Sequence, residues 1–144
     1  MRFLDRLQPL ALLALRLILG TVMIGHGYGK VFHGGLAQHV ARVSSLGLPG
    51  WWAYLSAFTE FFGGMLLIAG FLTRFVSLAV MIDMFVAIWK IHWKNGMFGK
   101  GGYELVLTLA TIAFALIFLG AGPIAIDAIR GGRGGGGGAK GKKA

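Results

Sequence analysis

The fold is decided by residues 52–93, which read WAYLSAFTEFFGGMLLIAGFLTRFVSLAVMIDMFVAIWKIHW. Two apolar runs, residues 52–72 and 75–93, are separated only by Thr73 and Arg74. A helix that crosses a bilayer needs about 20 mostly apolar residues, and each run has this length. Because the connection is so short, we expect the two helices to be antiparallel neighbours in a membrane.

The composition extends this interpretation to the rest of the chain. Of its 144 residues, 56% are hydrophobic and 13% are charged, whereas a soluble domain has about 45–50% apolar and about 25% charged residues. We therefore expect one membrane domain, residues 1–125, followed by a flexible, basic, glycine-rich cytoplasmic tail, residues 126–144. The chain contains no cysteine, which excludes disulfide chemistry and thiolate metal sites.

Two further apolar runs, residues 10–28 and 103–122, complete a predicted all-α polytopic membrane protein with a bundle of four transmembrane helices. Lys and Arg residues are more numerous on the side that holds both termini than on the other side. The positive-inside rule then predicts that both termini are cytoplasmic, an N-in/C-in arrangement. Residues 31–49 have apolar side chains near helical spacing, which predicts a short amphipathic helix on the outer surface.

Charged side chains interrupt three of the four spans. Arg16, Glu60 and Asp83 are each predicted to lie roughly 10 Å or more from the nearer end of their span, at about 1.5 Å per residue. A charge at this depth costs roughly 2.5–3.5 kcal/mol on insertion scales, so each should have a partner or a function. We expect Arg16 and Asp83 to form a structural ion pair, because one Arg can bind a carboxylate through two hydrogen bonds.

Further polar residues gather at the predicted outer ends of the spans. His26, His92 and Glu104 lie there, and Glu60 lies on a helix face of small residues that leaves room beside its carboxylate. These four residues are candidate ligand-binding residues, since carboxylates and imidazoles can hydrogen-bond a ligand and exchange protons with it. A bis-histidine haem at His26 and His92 is the weaker interpretation, and no metal or flavin site is evident from the residue spacing.

Six short motifs follow one another between residues 10 and 122. They are Arg16 with Leu19 and Gly20, His26-Gly27 followed by Lys30, Gly47-Leu48-Pro49, Glu60 followed by Gly63-Gly64, Gly70 with Thr73-Arg74, and Gly101-Gly102-Tyr103-Glu104. Each motif alone has little specificity. Their order and spacing together resemble the DoxX family of small four-helix bacterial membrane proteins.

The resemblance implies a four-helix domain in the bacterial cytoplasmic (inner) membrane that is linked to redox metabolism. Some relatives are described as subunits of thiosulfate:quinone oxidoreductases or of quinol-oxidase complexes. The resemblance therefore suggests a quinone as the ligand, and a second polypeptide or a further copy of the chain as partner. Under this hypothesis His26, Glu60, His92 and Glu104 surround the quinone head group.

Two other functions are compatible with the sequence. The chain could be a non-enzymatic membrane anchor or assembly subunit whose polar core is structural. It could also be a small proton-coupled transporter, which the intramembrane acids favour and the absence of an internal helix repeat disfavours. In every case the helices contact the lipid bilayer, and the basic tail is expected to contact anionic lipid rather than nucleic acid.

Overall fold

The computed structural model describes residues 2–131, and helices are the only regular secondary structure in this part of the chain. We number its helices α1 to α6 in chain order. They are α1 (Arg2–Val31), α2 (Gly35–Ser45), α3 (Gly50–Ala69), α4 (Thr73–Asn95), α5 (Glu104–Leu119) and α6 (Ile126–Gly131).

Three of these helices, α1, α3 and α4, are long and apolar enough to cross a membrane. Helix α5 is equally apolar but shorter, with 16 residues, or about 24 Å at 1.5 Å per residue. The prediction of an all-α, multi-pass membrane protein is therefore confirmed. The three long helices, with the shorter α5 beside them, form the bundle that positions the site.

The bundle is apolar on the outside as well as on the inside. Its centre is filled by fully buried side chains such as Leu19, Leu67 and Leu116. Large apolar side chains also cover the outer surface, where Phe75 is 79% exposed and Phe118 is 65% exposed. A soluble protein rarely exposes so continuous an apolar surface, so this surface contacts lipid.

Helices α1 and α3 cross at glycine, which allows their backbones to touch. A Cβ atom on Gly20 would lie 2.6 Å from the carbonyl oxygen of Gly64, and a Cβ on Gly64 would lie 2.7 Å from that of Gly20. About two turns further along α1, a Cβ on Gly27 would lie 2.5 Å from the backbone nitrogen of Phe61. Small residues bring membrane helices this close, and here they fix the register between α1 and α3.

Helix α2 confirms the short helix predicted within residues 31–49. It contacts α1 and α3 across one end of the bundle, which we call the α2 end. Only Val43 of this helix is fully buried. Left-handed backbone at His33 and Gly34 precedes the helix, and left-handed backbone at Gly47 follows it.

The first residues of the predicted tail, 126–131, form helix α6 instead of a flexible segment. Asp127 holds this helix at the opposite end of the bundle, which we call the α6 end. Its two carboxylate oxygens accept hydrogen bonds from the backbone N–H groups of Leu72 and Thr73, both at 2.9 Å, and its own N–H donates to Gly70 O at 2.9 Å. The remainder of the predicted tail, residues 132–144, lies outside the described residues.

Candidate functional site

A cavity of about 420 Å³ lies between the helices toward the α2 end of the bundle. Every helix from α1 to α5 contributes to its wall, and α2 covers it. Most of the wall is apolar, and the polar side chains are few. The polar lining residues are His26, Lys30, His39, Arg42, Glu60 and His92.

Glu60 lies in a π-helical turn, Thr59–Gly63, that interrupts α3. Such a turn holds one residue more than an α turn and shifts the direction of the side chains around it, which is why π turns often occur at functional sites. Glu60 itself is almost completely buried. The π turn therefore directs the carboxylate of Glu60 into the interior of the helix bundle, although the rest of this helix is mostly apolar.

The partner of Glu60 is Lys30, in the last turn of α1. The Lys30 Nζ atom lies 2.6 Å from each carboxylate oxygen, and the two side chains are 28% and 5% exposed. It is the one ion pair between side chains among residues 3–131. Sequence analysis named Lys30 only in the motif that begins with His26-Gly27 and did not predict its pairing with Glu60.

Two of the predicted site histidines, His26 and His92, line the same cavity as Glu60. The Nδ1 atom of His92 is hydrogen-bonded to Gly101 O at 2.7 Å, which fixes the orientation of its ring. His92 belongs to a second π-helical turn, Ile88–His92. Both π turns of the bundle thus contribute a polar side chain to the cavity.

The fourth predicted site residue, Glu104, does not line the cavity. It is the first residue of α5 and is exposed. A carboxylate in the first turn of a helix is stabilised by the helix dipole without any ligand. The structure thus separates Glu104 from His26, Glu60 and His92.

Helix α2 adds two polar residues that sequence reasoning did not assign to the site, His39 and Arg42. The Nε2 atom of His39 is buried and has no hydrogen-bond partner among the described residues. Burial, and to a smaller extent the positive charges of Lys30 and Arg42, lower the pKa of His39 to about 4. The imidazole is therefore neutral at physiological pH.

Arg16 does not form the predicted ion pair with Asp83. Its guanidinium, 1% exposed, donates instead to four backbone carbonyls. Nε bonds Leu67 O at 3.0 Å, Nη2 bonds Ile68 O at 3.1 Å, and Nη1 bonds Ala121 O at 2.5 Å and Ile124 O at 2.8 Å.

Helix ends explain this difference. Leu67 and Ile68 lie in the last turn of α3, where carbonyl groups have no partner within their own helix. The negative end of the helix dipole also favours a cation there. Arg16 satisfies these groups at the α6 end, whereas Asp83 lies ten residues beyond the start of α4, nearer the middle of the bundle.

Asp83 lies beside Glu60 and Ser56 and is 6% exposed. It is not part of the cavity wall. Its Oδ2 atom has no hydrogen-bond partner within residues 2–131. Asp83 therefore neighbours Glu60, on the side away from the cavity, and does not contact Arg16.

A second cavity, of about 460 Å³, lies at the α6 end. Asp127 and Thr73 are among its lining residues. Both carboxylate oxygens of Asp127 already accept backbone hydrogen bonds at the start of α4. Burial raises the pKa of Asp127, but the bonds from Thr73 and Leu72 outweigh it and hold that pKa below its ordinary value. Asp127 therefore has a structural role at this end of the bundle, where it joins α6 to the start of α4.

The polar groups of the first cavity can both donate and accept. The ammonium group of Lys30 donates, the carboxylate of Glu60 accepts, and the ring nitrogens of an imidazole can do either. No group of three or more His, Asp or Glu side chains capable of holding a metal ion occurs in the part of the chain that the structure describes. The geometry suits a small organic ligand with an apolar body and polar oxygen atoms.

The chain is similar in sequence to two known bacterial proteins. The chain is 31% identical over 115 residues to the Bacillus subtilis (strain 168) protein named "Putative oxidoreductase CatD", which covers 80% of this chain and 83% of that protein. It is 27% identical over 126 residues to the inner membrane protein YqjF of Escherichia coli (strain K12), which covers 85% of this chain and 93% of that protein. No solved structure matches significantly. Residues 11–93 match the DoxX family model, and the chain therefore belongs to the DoxX family.

Proposed function

We propose that this protein is an integral membrane subunit linked to redox metabolism, and that its cavity binds the head group of a quinone. The observation that carries the proposal is the Lys30–Glu60 pair, largely buried in a cavity with mainly apolar walls and three histidines, His26, His39 and His92. A quinone head group is a flat apolar ring with oxygen atoms on opposite edges. Its polarity therefore matches that of the cavity.

The chemistry of the pair suits both redox forms of such a ligand. Lys30 Nζ can donate a hydrogen bond to a quinone carbonyl, and the Glu60 carboxylate can accept one from a quinol hydroxyl. His26 and His92 would exchange protons with the same oxygens, since an imidazole can act as both a proton donor and a proton acceptor. The volume of about 420 Å³ lies within the range of about 300–1,000 Å³ that is usual for small-molecule sites.

We assign the electron donor or acceptor to a partner subunit. The side chains of the cavity can bind a ligand and move protons, but none of them is redox-active. The relative CatD carries the word oxidoreductase in its name, which supports a redox context for the family. A heteromeric complex or a homo-oligomer would provide the contact with that partner.

The proposal includes the placement of the chain in a bacterial cytoplasmic membrane. Helices α1, α3, α4 and α5 would all span it, with both termini on the cytoplasmic side. The positive charge of Arg2, Arg6 and Arg74 supports this orientation, and the relative YqjF is named an inner membrane protein. Under this orientation the α2 end of the bundle faces the outer aqueous side.

Binding of a short-chain quinone to the purified protein in nanodiscs tests the proposal. Tryptophan fluorescence and calorimetry should both report saturable binding, which Glu60→Gln should weaken at least about tenfold because a charged hydrogen-bond partner is lost. Glu104→Gln is the matched control, since that carboxylate lies outside the cavity. Absence of saturable quinone binding by the unmodified protein would refute the proposal.

Two outcomes would favour the other functions. If Glu60→Gln lowered only the yield of an assembled complex, and turnover per complex were unchanged, the protein would be an anchor or assembly subunit. If proteoliposomes carried a proton-coupled flux that required Glu60 and Asp83, it would be a transporter.

A further inference from the structure

The cover of the cavity, helix α2, is attached differently from the helices that form its walls. It is 11 residues long and buries one side chain completely, Val43, which also lines the cavity. The walls are formed by longer helices whose core side chains interlock. Few buried contacts therefore hold α2 on the bundle, and local opening is easiest for such segments.

Both ends of α2 have the backbone geometry of a hinge. His33 and Gly34 adopt left-handed φ angles of 58° and 75° before the helix, and Gly47 adopts 77° after it. Neither Gly34 nor Gly47 has a neighbouring atom within 4 Å of where a Cβ would stand. These two glycines, with open space beside them and φ angles that other residues rarely adopt, are the positions at which the connections of α2 can change direction.

His39 lies on the side of α2 that faces the cavity. Its Nε2 atom is shielded from water and lacks a partner in the described part of the chain. The charged and titratable groups that line the same cavity are Arg42 on α2 itself, His26 and Lys30 on α1, Glu60 on α3 and His92 on α4, and α5 contributes apolar side chains.

A proton on His39 would be unfavourable while α2 covers the cavity. Burial and the charges of Lys30 and Arg42 lower the pKa of His39 to about 4, from an ordinary 6.5. The single carboxylate of the cavity wall, Glu60, is already paired with Lys30. The closed arrangement therefore binds a neutral imidazole, whereas an opened one can hold the protonated form in water.

We propose that α2 is a lid over the cavity and that protonation of His39 opens it. This inference concerns the regulation of the same cavity, and it rests on the proposed function only for the identity of the ligand that the lid admits. In the proposed orientation the lid faces the outer aqueous side. Acidification of that side would give a ligand, or a proton released in the cavity, a path to water.

The direction of the pH effect follows from linkage. The closed state has the lowered pKa, so the contribution of neutral His39 to closure is complete above about pH 6.5 and is lost as the pH falls toward 4. Between pH 8 and pH 5, these two pKa values predict an increase in the open fraction of up to about thirtyfold.

The absence of cysteine from the natural chain provides a direct test of lid opening. Val43→Cys places one thiol beneath the lid, and Ala41→Cys places one on its exposed face. Each variant is labelled with a disulfide reagent in nanodiscs at pH 8 and pH 5. The ratio of the two labelling rates removes the intrinsic pH dependence of the thiol reaction.

We expect the rate for Cys at position 43, relative to that at position 41, to rise about tenfold to thirtyfold at pH 5. His39→Gln should abolish this rise, because a neutral amide cannot be protonated. His33→Asn should keep it, since Asn tolerates the left-handed backbone of that position. An equal rise in the His39→Gln background, or no rise at all, would overturn the proposal.

Hydrogen exchange supplies a second measurement in case the cysteine variants do not fold. Amides of α2 in the unmodified protein should lose protection at pH 5 relative to pH 8, after correction for intrinsic exchange, and amides of α3 should not. Equal protection at both pH values would also contradict the lid. Neither measurement requires a quinone, so a lid without quinone binding, and quinone binding without a lid, are distinct results.

Discussion

Lys30 and Glu60 form an ion pair that joins α1 to the π turn of α3, with the ammonium nitrogen 2.6 Å from each carboxylate oxygen. The pair lies directly above the close approach of Gly27 to Phe61. Because the two backbones touch there, the lysine reaches the carboxylate without crossing a gap. The close packing at Gly27 thus helps to place Lys30 within reach of the buried Glu60 carboxylate.

The stability of the protein should reveal this pairing. Lys30→Met leaves the Glu60 carboxylate buried without a cation, and we expect a loss of about 3–5 kcal/mol in the free energy of unfolding. The double variant Lys30→Met with Glu60→Gln should recover a large part of that loss, since neither charge remains. Reversible unfolding in mixed micelles measures the cycle, and strictly additive single effects would contradict the pairing.

Arg16 should be essential for folding, although it has no acidic partner. Arg16→Met removes the donor for four backbone carbonyls, in two buried and two partly buried hydrogen bonds, and we expect a loss of at least about 3 kcal/mol in stability. Arg16→Lys should recover only part of this, because an ammonium cannot reproduce the planar arrangement of donors. Arg6→Met, on an exposed part of α1, is the control and should be nearly neutral. Similar melting temperatures for the Arg16→Met and Arg6→Met variants would contradict this role.

The absence of a side chain at Gly70 leaves room for the Arg16 guanidinium. The effect of this space on stability can be measured separately from the effect of the left-handed backbone at Gly70. A Cβ on Gly70 would lie 2.8 Å from Arg16 Cζ and 2.5 Å from Ala125 Cβ, and φ there is 69°. Gly34 has a similar φ of 75° but open space around it. Gly70→Ala should therefore destabilise the protein more than Gly34→Ala, by about 1–3 kcal/mol for the overpacking. Thermal unfolding in detergent measures the difference, and equal effects would mean that only backbone strain matters.

Asp127 should contribute stability that depends on pH. Its pKa is held below the ordinary value of 3.8, with desolvation opposed by the hydrogen bonds from Thr73 and Leu72. The contribution is therefore present above about pH 4 and is lost as the pH falls through the lowered pKa. At pH 7, Asp127→Asn should cost about 1 kcal/mol, as for a helix cap, and the cost should shrink in strong acid. Asp5→Asn, on the exposed first turn of α1, is the control for nonspecific charge effects.

The sequence predicts the helices well because their signals are local. Apolar runs of spanning length identify α1, α3, α4 and α5, and amphipathic spacing identifies α2. The gathering of His26, Glu60 and His92 at one cavity also follows from their depth along the spans, which depends only on residue count. Depth is therefore the part of the site that the sequence predicts most accurately.

The partners of the charged groups could not be predicted in the same way. Arg16 binds backbone carbonyls, which every residue has and which no sequence pattern marks. Glu60 and His92 lie within π turns, where the 100° per residue of an α-helix no longer gives the direction of a side chain. Glu104 lies at a helix start and His39 on a helix with one buried residue, so their positions depend on how the elements dock.

The π turn at Thr59–Gly63 has a consequence at the level of the gene. It contains one residue more than a regular turn, so an in-frame deletion of a single codon after Glu60 would restore regular winding. The remaining helix would still be long enough to cross the membrane, but the side chains of the former π turn, Glu60 among them, would point in a different direction. In the other direction, insertion of one codon into an ordinary apolar helix could bring a carboxylate into the interior. A buried acid of this kind can thus be gained or lost in one mutational event. The helix stays long enough to insert into the membrane before and after that event.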